Sequence, residues 1–344
     1  MLRFDCDYTE GAHPKILEKL MATNYEQTVG YGEDDYCKKA AEIIKEKCSR
    51  DNLDVHFFVG GTQTNLTVIS AALRPHQGAI TAITGHINTH ETGAIEATGH
   101  KVLTAPSTDG KITSHQIQAI YDNHYKDSSP EHTVQPKLVY ISNPTEIGTI
   151  YSKTELTAIS ETCKKNNLLL YMDGARLGYG LCAEGNDLDL QSIAKLCDAF
   201  YIGGTKIGAL FGEALVISNS TLKSDFRYFI KQKGGLLAKG RLLGIQFTTL
   251  FEDDLYYEMS NHANEMATLI KNAFIKKGYK FLSASNTNQQ FPILPNEVIE
   301  KLKSNYIFSY WEKVDENHSA VRFCTSWATK KEAVLKLIAS IENI

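Results

Sequence analysis

Two charged side chains follow directly on apolar, strand-like runs of the sequence. The run LLLYM (168–172) ends in Asp173, and the run DAFYIGG (198–204) is followed closely by Lys206. A carboxylate is costly to bury unless a cation meets it, and a lysine taken out of water loses its proton more readily and attacks carbonyl groups. The pair indicates a site that combines a fixed anion with a reactive amine. An ordinary surface lysine at a strand end is the alternative for Lys206.

The segment GGTQTN (60–65) follows a third strand-like run, VHFFV (55–59), and opens a predicted helix. Glycine lets a ligand approach the backbone, and the free N–H groups of a helix N-terminus attract anions. The spacing matches neither the Rossmann fingerprint nor the P-loop. Taken alone, the segment is also typical of a routine strand-to-helix turn.

These three features are expected to meet at one edge of a sheet. Lys206 lies one strand–helix–strand step after Asp173, and open α/β sheets bind ligands at the carboxyl ends of their strands. Pyridoxal phosphate requires a lysine for its aldehyde, a carboxylate for its ring nitrogen and an anion site for its phosphate. The sequence therefore predicts pyridoxal 5'-phosphate as the cofactor, with Lys206 as its covalent partner.

The runs that carry these residues belong to a longer alternation of strand-like and helical segments. The strand-like runs lie at 55–59, 78–87, 100–106, 137–143, 168–174, 198–204 and 213–218. Between two of them, Ser152 and Glu155 form a capping box that opens an amphipathic helix. The alternation predicts βαβ units and a mostly parallel sheet, and therefore an α/β fold.

The pattern changes after about residue 219. A long helical stretch covers roughly 238–274, and three short strand-like runs and a last helix follow, the helix opened by a capping box of Thr329 and Glu332. We predict a large cofactor-binding α/β domain over 1–245, including an N-terminal arm, and a smaller α+β domain over 246–344.

The composition argues against several classes of protein. Of the 344 residues, 42% are hydrophobic and 22% charged, and the net charge is −4. These are ordinary globular values, and the lack of a long basic block argues against an extended nucleic-acid footprint. No run approaches the about 18 to 20 apolar residues of a membrane span, and the N-terminus lacks the apolar stretch of a signal peptide. The seven cysteines are scattered without a CxxC pair, so we expect no disulfide framework, no metal site and a cytoplasmic location.

Ordered motifs run through nearly the whole chain. They are FDCDYTEGAHPKILEKL, VGYGEDDY, FFVGGTQTN, GHINTHETGA, ISNPTEIGTIY, YMDGAR, IGGTKIG, KGGLLAKGR, TNQQFPIL and VRFCTSWAT. In this order they resemble the threonine aldolase and β-eliminating lyase group of pyridoxal-phosphate enzymes with the aspartate-aminotransferase (type I) fold. The closest resemblance is to its low-specificity L-threonine aldolases. It implies a small amino-acid substrate and a homodimer or homotetramer with shared active sites.

The resemblance assigns the cofactor site residue by residue. Lys206 is implied to bind the cofactor covalently, Asp173 to meet the ring nitrogen, and His86 to stack on the pyridine face. The residues implied to contact the phosphate are Gly61, Thr62, Thr205 and Lys239.

The resemblance also implies substrate contacts. Arg176 and Arg322 are implied to hold the substrate carboxylate by bidentate contacts, and Tyr31 to reach a neighbouring active site across the dimer. Two features depart from the family. Cys6 stands where a serine near the carboxylate is frequent, and a thiol is a poorer hydrogen-bond partner. The segment NPTE (143–146) lacks the histidine that many members carry near the substrate hydroxyl.

Together these residues predict a lyase that cleaves L-threonine or L-allo-threonine between Cα and Cβ, giving glycine and an aldehyde. The cleavage requires removal of the β-hydroxyl proton, and His86, or a water held by His86 and Glu91, is the predicted base. A β-eliminating lyase or an aminotransferase on the same cofactor is the alternative, and its products would be pyruvate and ammonia or a keto acid. A non-catalytic amino-acid or cofactor-binding protein is disfavoured because the chain has kept all of the following residues: Lys206, Asp173, His86, Arg176 and Arg322.

Overall fold

The computed structural model describes every residue from 1 to 344. Its strands are β1 (Leu2–Arg3), β2 (Asp54–Phe58), β3 (Gln77–Ala82), β4 (Lys101–Ala105), β5 (Gln135–Ser142), β6 (Leu169–Asp173), β7 (Ala199–Gly203), β8 (Glu213–Ile217), β9 (Gln289–Gln290), β10 (Ile293–Pro295), β11 (Tyr306–Ile307), β12 (Ser309–Lys313) and β13 (His318–Cys324). Its helices are α1 (Pro14–Ala22), α2 (Asp35–Lys47), α3 (Gly61–Ala72), α4 (His86–Thr89), α5 (Ser114–Tyr125), α6 (Lys153–Lys165), α7 (Leu177–Leu181), α8 (Leu190–Leu196), α9 (Ser220–Lys223), α10 (Phe226–Gln232), α11 (Arg241–Phe251), α12 (Leu255–Lys276), α13 (Asn296–Lys303) and α14 (Lys331–Glu342).

Seven strands form the central sheet in the order β2-β8-β7-β6-β5-β3-β4. The strands from β7 to β4 are parallel to one another, and β8 alone runs antiparallel to its neighbours. Successive residues of β5 alternate between two apolar cores, because Leu138 and Tyr140 face one core while Val139 and Ile141 face the other. Burial on both faces explains the continuous apolar runs in the sequence. The predicted α/β class with a mostly parallel sheet is confirmed.

Two glycines let β6 and β7 end close together. A Cβ atom on Gly174 would lie 1.9 Å from the carbonyl oxygen of Tyr201, and one on Gly203 would lie 2.3 Å from the carbonyl oxygen of Ala175. Only glycine allows this approach of two backbones. It brings the residues that follow the two strands to one edge of the sheet.

A third apolar core joins the N-terminal strand to the C-terminal elements. Phe4 packs there with the second half of α12, from Met266 onward, while Ala263 in the first half of α12 packs in a core of the central sheet. Strand β1 pairs with β11, so the N-terminus belongs to this smaller unit. The boundary predicted after residue 245 falls inside α11, and we propose a boundary inside α12 instead.

The long helical stretch predicted at 238–274 is two helices. Asp253 and Asp254, between α11 and α12, both have a left-handed backbone with φ of +55°. A left-handed pair cannot continue a right-handed helix, and the periodicity of the flanking sequence does not reveal the break. No helix of the chain is long and apolar enough to cross a membrane.

One of the two predicted capping boxes is present. Ser152 and Glu155 cap α6 reciprocally, side chain to backbone, as predicted. The second prediction is wrong, because α14 begins at Lys331 without a side-chain cap. The hydroxyl of Thr329 instead accepts a hydrogen bond from the backbone N–H of Ser326 at 2.8 Å.

Candidate active site

A cleft of about 440 Å³ lies at the carboxyl edge of the central sheet, facing β12 and β13. Its lining residues are Tyr8, His86, His90, Glu146, Arg176, Lys206, Ser309, Tyr310, Trp311 and Arg322. Four residues predicted from the sequence therefore share one cleft: His86, Arg176, Lys206 and Arg322. Lys206 is the only lysine of the lining and Glu146 is its only carboxyl group.

The carboxylate of Asp173, at the end of β6, is buried and accepts four hydrogen bonds. Oδ1 accepts from the Tyr201 hydroxyl at 2.5 Å and from the Ala175 backbone N–H at 2.9 Å. Oδ2 accepts from the Tyr140 hydroxyl at 2.6 Å and from the Asn65 amide at 3.0 Å. Burial alone would raise the pKa of Asp173, but the nearby His86 and these hydroxyl groups outweigh it and lower the pKa below its ordinary value. The group is therefore a fixed anion.

The imidazole of His86 is held by a buried carboxylate. The strand predicted at 78–87 ends earlier, at Ala82, and His86 opens the short helix α4. Its Nδ1 lies 2.8 Å from Oε1 of Glu91, which also accepts from the Asn65 amide at 2.6 Å. Burial would lower the pKa of His86, but the Glu91 hydrogen bond and the Asp173 charge raise it. The ring is therefore oriented, and the protonated form is favoured.

Lys206 follows β7 in the loop that Gly203 and Gly204 begin. Burial, together with the nearby Arg176 guanidinium, lowers its pKa and favours the neutral amine. Behind it, Glu213 accepts a hydrogen bond from the Thr205 hydroxyl at 2.9 Å, and burial raises the pKa of Glu213 to about 8 against the opposing charge of Lys206. The surroundings of Lys206 therefore favour the neutral amine, which is the nucleophilic form of the side chain.

The guanidinium of Arg176 is already paired. Its Nε and Nη2 donate to the two carboxylate oxygens of Asp7 at 2.7 and 2.9 Å. Asp7 is fully buried, and it also accepts from the Asn288 amide at 2.9 Å. Asp7 therefore occupies the Nε side of the guanidinium, whereas Nη1 and the second N–H of Nη2 are left for a ligand, and the bidentate contact of Arg176 with a substrate carboxylate stays a prediction.

Arg322, on β13, has an unpartnered donor. Its Nη2 donates to the backbone carbonyl of Asp5 at 2.7 Å, its Nη1 donates to Oε1 of Gln289 at 3.2 Å, and its guanidinium lies 5.6 Å from the ring centroid of Trp311. Its Nε and the amide nitrogen of Gln289 are both buried without a hydrogen-bond partner. A buried cationic donor without a partner is suited to an anion.

The N-terminus of α3 provides free backbone donors. Gly60 precedes Gly61 in an extended conformation, and no side chain caps the helix. Asn65, one turn further on, contacts Asp173, which places this helix end beside the buried carboxylate. The Thr205 hydroxyl is less available for a phosphate, because its single proton is used on Glu213.

Besides Asp173, Thr205 and the start of α3 at Gly61 and Thr62, three predicted site residues do not line the cleft. Tyr31 and Lys239 are exposed and neighbouring, since the Tyr31 backbone N–H donates to the carbonyl of Ala238 at 3.3 Å. Cys6 is half-buried, and its Sγ lies 4.0 Å from a carboxylate oxygen of Asp5. Within one chain, the roles proposed for these three residues stay predictions.

Donor atoms of His86, Glu91 and Asp173 lie within 4.8 Å of one another. A histidine and two carboxylates are metal-ligand types, but Nδ1 of His86 is engaged with Glu91, and the Asn65 amide donates to both carboxylates. The trio is better described as a hydrogen-bonded support for the His86 ring.

Several residues of the site were not identified from the sequence. Tyr140 and Tyr201 had a recognisable signal, because a single tyrosine recurs in the buried runs of β5, β6 and β7. Asp7 had none, since it lies 169 positions from its partner Arg176. Glu213 also had none, because it reads as the ordinary first residue of an apolar strand.

Comparison with known proteins agrees with this geometry. A family model described as beta-eliminating lyase matches residues 4–296. A low specificity L-threonine aldolase from a Pseudomonas species is 31% identical over 350 aligned residues, which cover 99% of this chain and 97% of that protein. The chain belongs to the β-eliminating lyase family. The family predicted from the ordered motifs is thereby confirmed.

Solved structures support the same assignment for this β-eliminating lyase family member. A Leishmania major threonine aldolase is 47% identical, with a TM-score of 0.97, over 100% of this chain and 99% of that chain. An aspartate aminotransferase from Thermus thermophilus superposes with a TM-score of 0.72 at 13% identity, over 100% of this chain and 91% of that chain. The second likeness concerns the fold alone, and it confirms the predicted aspartate-aminotransferase type.

Proposed function

We propose that the protein is a pyridoxal-phosphate-dependent aldehyde-lyase that cleaves L-threonine and L-allo-threonine to glycine and acetaldehyde. The observation that carries the proposal is a cleft with a single lysine, Lys206, near the fixed anion of Asp173, that also contains the guanidinium groups of Arg176 and Arg322. The names of the Pseudomonas and Leishmania relatives support a β-hydroxy amino acid as the substrate.

The residues of the cleft fit pyridoxal phosphate. Lys206 would hold its aldehyde carbon, Asp173 would meet its ring nitrogen, and the uncapped start of α3 at Gly61 and Thr62 would hold its phosphate. Gly60 leaves this helix end open, because a Cβ atom there would meet nothing within 4 Å. When bound, the cofactor supplies a sink for the electron pair that leaves the Cα–Cβ bond.

The chain's own groups set the protonation states that this chemistry needs. Asp173 stays ionised through its four donors and so favours a proton on a ring nitrogen beside it. Lys206, with its lowered pKa, is available as a neutral amine. His86 is fixed by Glu91 and would cover the face of the ring.

Recognition of the substrate carboxylate is assigned chiefly to Arg322. Its Nε is a buried donor without a partner, and a carboxylate bound in the cleft would satisfy it. Arg176 would add Nη1 and the second N–H of Nη2, while its Nε and the first N–H of Nη2 stay on Asp7.

A second copy of the chain would complete the site. Tyr31 and Lys239 lie together outside the cleft, near other exposed aromatic side chains of which Tyr25 is 96% and Tyr228 76% accessible. Exposed apolar groups of this size are typical of interfaces. We therefore propose a homodimer, alone or within a homotetramer, in which these two residues enter the partner's cleft.

Product analysis tests the proposed function. Purified protein loaded with pyridoxal phosphate is incubated with L-threonine and with L-allo-threonine, and glycine and acetaldehyde are measured together. Equimolar glycine and acetaldehyde are expected. A keto acid with ammonia would identify an eliminating lyase, a keto acid without ammonia would identify an aminotransferase, and no turnover would leave only a binding protein.

A further inference from the structure

Glu146 lies in the loop that follows β5, on the wall of the cleft. A tight turn holds this loop: the Thr145 backbone N–H donates to the carbonyl of Thr149 at 2.8 Å, and the hydroxyl groups of the two threonines lie 2.7 Å apart. The position of Glu146 relative to the strand end is therefore fixed.

The two oxygens of the Glu146 carboxyl group differ in their surroundings. Oε1 accepts from the Ser142 hydroxyl at 2.6 Å and from the backbone N–H of His86 at 2.9 Å. Oε2 is buried and has no hydrogen-bond partner in the protein. Buried polar atoms rarely lack partners, so a group bound in the cleft is the natural partner of Oε2.

The surroundings favour exchange of a proton at Glu146. Burial raises its pKa, the Ser142 hydrogen bond opposes this, and the Asp173 charge adds to it. Other ionisable groups face it from the neighbouring strands and across the cleft: His86, His90, Tyr140, Tyr151, Arg176, Lys206 and Arg322. A carboxyl group with a raised pKa can accept and return a proton near neutral pH.

The other candidate bases are less suited to this task. The imidazole of His86 is held by Glu91 through Nδ1, and its raised pKa widens the pH range over which the ring is protonated and cannot accept a proton. The side chain of Glu91 is fully buried behind His86 and does not line the cleft. Glu146 is the one carboxyl group on the cleft wall.

We propose that Glu146 is the acid–base residue that binds the β-hydroxyl group of the substrate and takes its proton, an inference that rests on the proposed function. The O–H bond breaks and its proton moves to Oε2. The C–O bond becomes the C=O bond of acetaldehyde as the Cα–Cβ bond breaks, and the electron pair of that bond stays on Cα. A proton added later at Cα gives glycine, and the proton on Glu146 is released to water.

The variant Glu146→Gln tests the role, because its amide keeps Oε1 as an acceptor for Ser142 and His86 and removes only the proton acceptor. We expect kcat for L-threonine cleavage to fall about 100-fold or more. Glycine has no β-hydroxyl group, so its dissociation constant, measured from the visible absorbance of the loaded protein, should match that of the wild type. Exchange of the glycine α-proton in D₂O should also keep the wild-type rate.

The pH dependence of kcat gives an independent readout. Wild-type kcat should fall on the acid side as Glu146 becomes protonated, and Glu146→Gln should lack this limb. If Glu146→Gln fails to fold, Glu146→Asp serves, because it keeps the carboxyl group but withdraws it by one methylene. The matched control is Glu161→Gln, an exposed glutamate on α6 that should behave as the wild type in every assay.

Two outcomes would overturn the inference. Unchanged threonine cleavage in Glu146→Gln would place the base elsewhere, and an equal loss of threonine cleavage and glycine binding would make Glu146 a structural residue. Failure of the wild type to cleave threonine is a different result, because it overturns the proposed function itself and the role of Glu146 with it.

Discussion

The fully buried carboxylate of Asp7 and the partly buried guanidinium of Arg176 form a two-point ion pair that joins the N-terminal arm to the loop after β6. The two contacts, from Nε and Nη2 to the carboxylate oxygens, measure 2.7 and 2.9 Å. Burial would raise the pKa of Asp7, but the Arg176 charge outweighs it and lowers the pKa. The pair anchors the N-terminal arm beside the cleft and occupies the Nε–H and one N–H of Nη2 of Arg176.

Removing the Asp7 charge should therefore destabilise the fold. In Asp7→Asn the partly buried Arg176 cation loses its charged partner, and such a loss costs about 3 kcal/mol. Urea unfolding at pH 7 measures the free energy of unfolding. Asp51→Asn, at an exposed turn, is the control and should leave it unchanged. Equal stability of Asp7→Asn and the wild type would show that the pair contributes nothing.

Arg322→Lys should weaken binding of the substrate carboxylate. Lysine keeps the charge but has neither the planar fork nor the Nε donor, and loss of a charge-assisted contact costs about 2 kcal/mol, roughly 30-fold in KM for threonine. The visible absorbance of the loaded protein should not change. Arg74→Lys, exposed after α3, is the matched control. An unaltered KM would assign the carboxylate to another group.

Asp173→Asn should reduce turnover while the cofactor still binds. The amide keeps the shape of the side chain but removes the anion that favours a protonated ring nitrogen. Removal of one such preorganised electrostatic group lowers the rate about 100-fold or more. Steady-state kinetics at saturating threonine measure the loss, and the absorbance spectrum checks loading. Turnover near the wild-type value would contradict the role of Asp173.

Glu213 should make stability fall as pH rises. Burial raises its pKa from 4.5 to about 8, so between these values the folded protein holds a proton that the unfolded chain has released. The contribution of this proton to the stability of the folded state is fully present below pH 4.5 and is lost as pH rises through 8. Between pH 5.5 and 8.5, Glu213→Gln should gain on the order of 3 kcal/mol of unfolding free energy relative to the wild type.

If the difference in unfolding free energy between Glu213→Gln and the wild type is the same at both pH values, the prediction is contradicted, and Glu213 is ionised in the folded state. Glu161→Gln, on the surface of α6, should show no such pH-dependent difference.

The sequence was sufficient to predict those parts of the fold in which the local hydrophobic pattern matches the burial in the structure. Strands β5, β6 and β7 are buried on both faces, so they read as apolar runs, and Asp173 and Lys206 stand where those runs end. The spacing alone therefore predicted their common edge. Both residues lie in the predicted region because the ends of the strands, and not side-chain contacts, determine their positions.

Features that depend on distant residues could not be predicted in this way. Nothing near Arg176 in the sequence indicates that its guanidinium donates hydrogen bonds to Asp7. Likewise, nothing near Glu213 indicates that its carboxyl group lies close to Lys206. The left-handed pair at Asp253 and Asp254 interrupts a periodic helical pattern without a glycine or proline to mark it. Contacts between residues that are distant in the sequence, rather than local propensity, determine these three features.

The most direct test of the central claim is the position of the covalent cofactor. The protein is purified with pyridoxal phosphate, reduced with borohydride, digested and analysed by mass spectrometry, with Lys206→Ala as the comparison. The account predicts one modified peptide, carrying the reduced adduct on Lys206, and no adduct in Lys206→Ala. An adduct on another lysine in the wild type, or an undiminished adduct in Lys206→Ala, would contradict it.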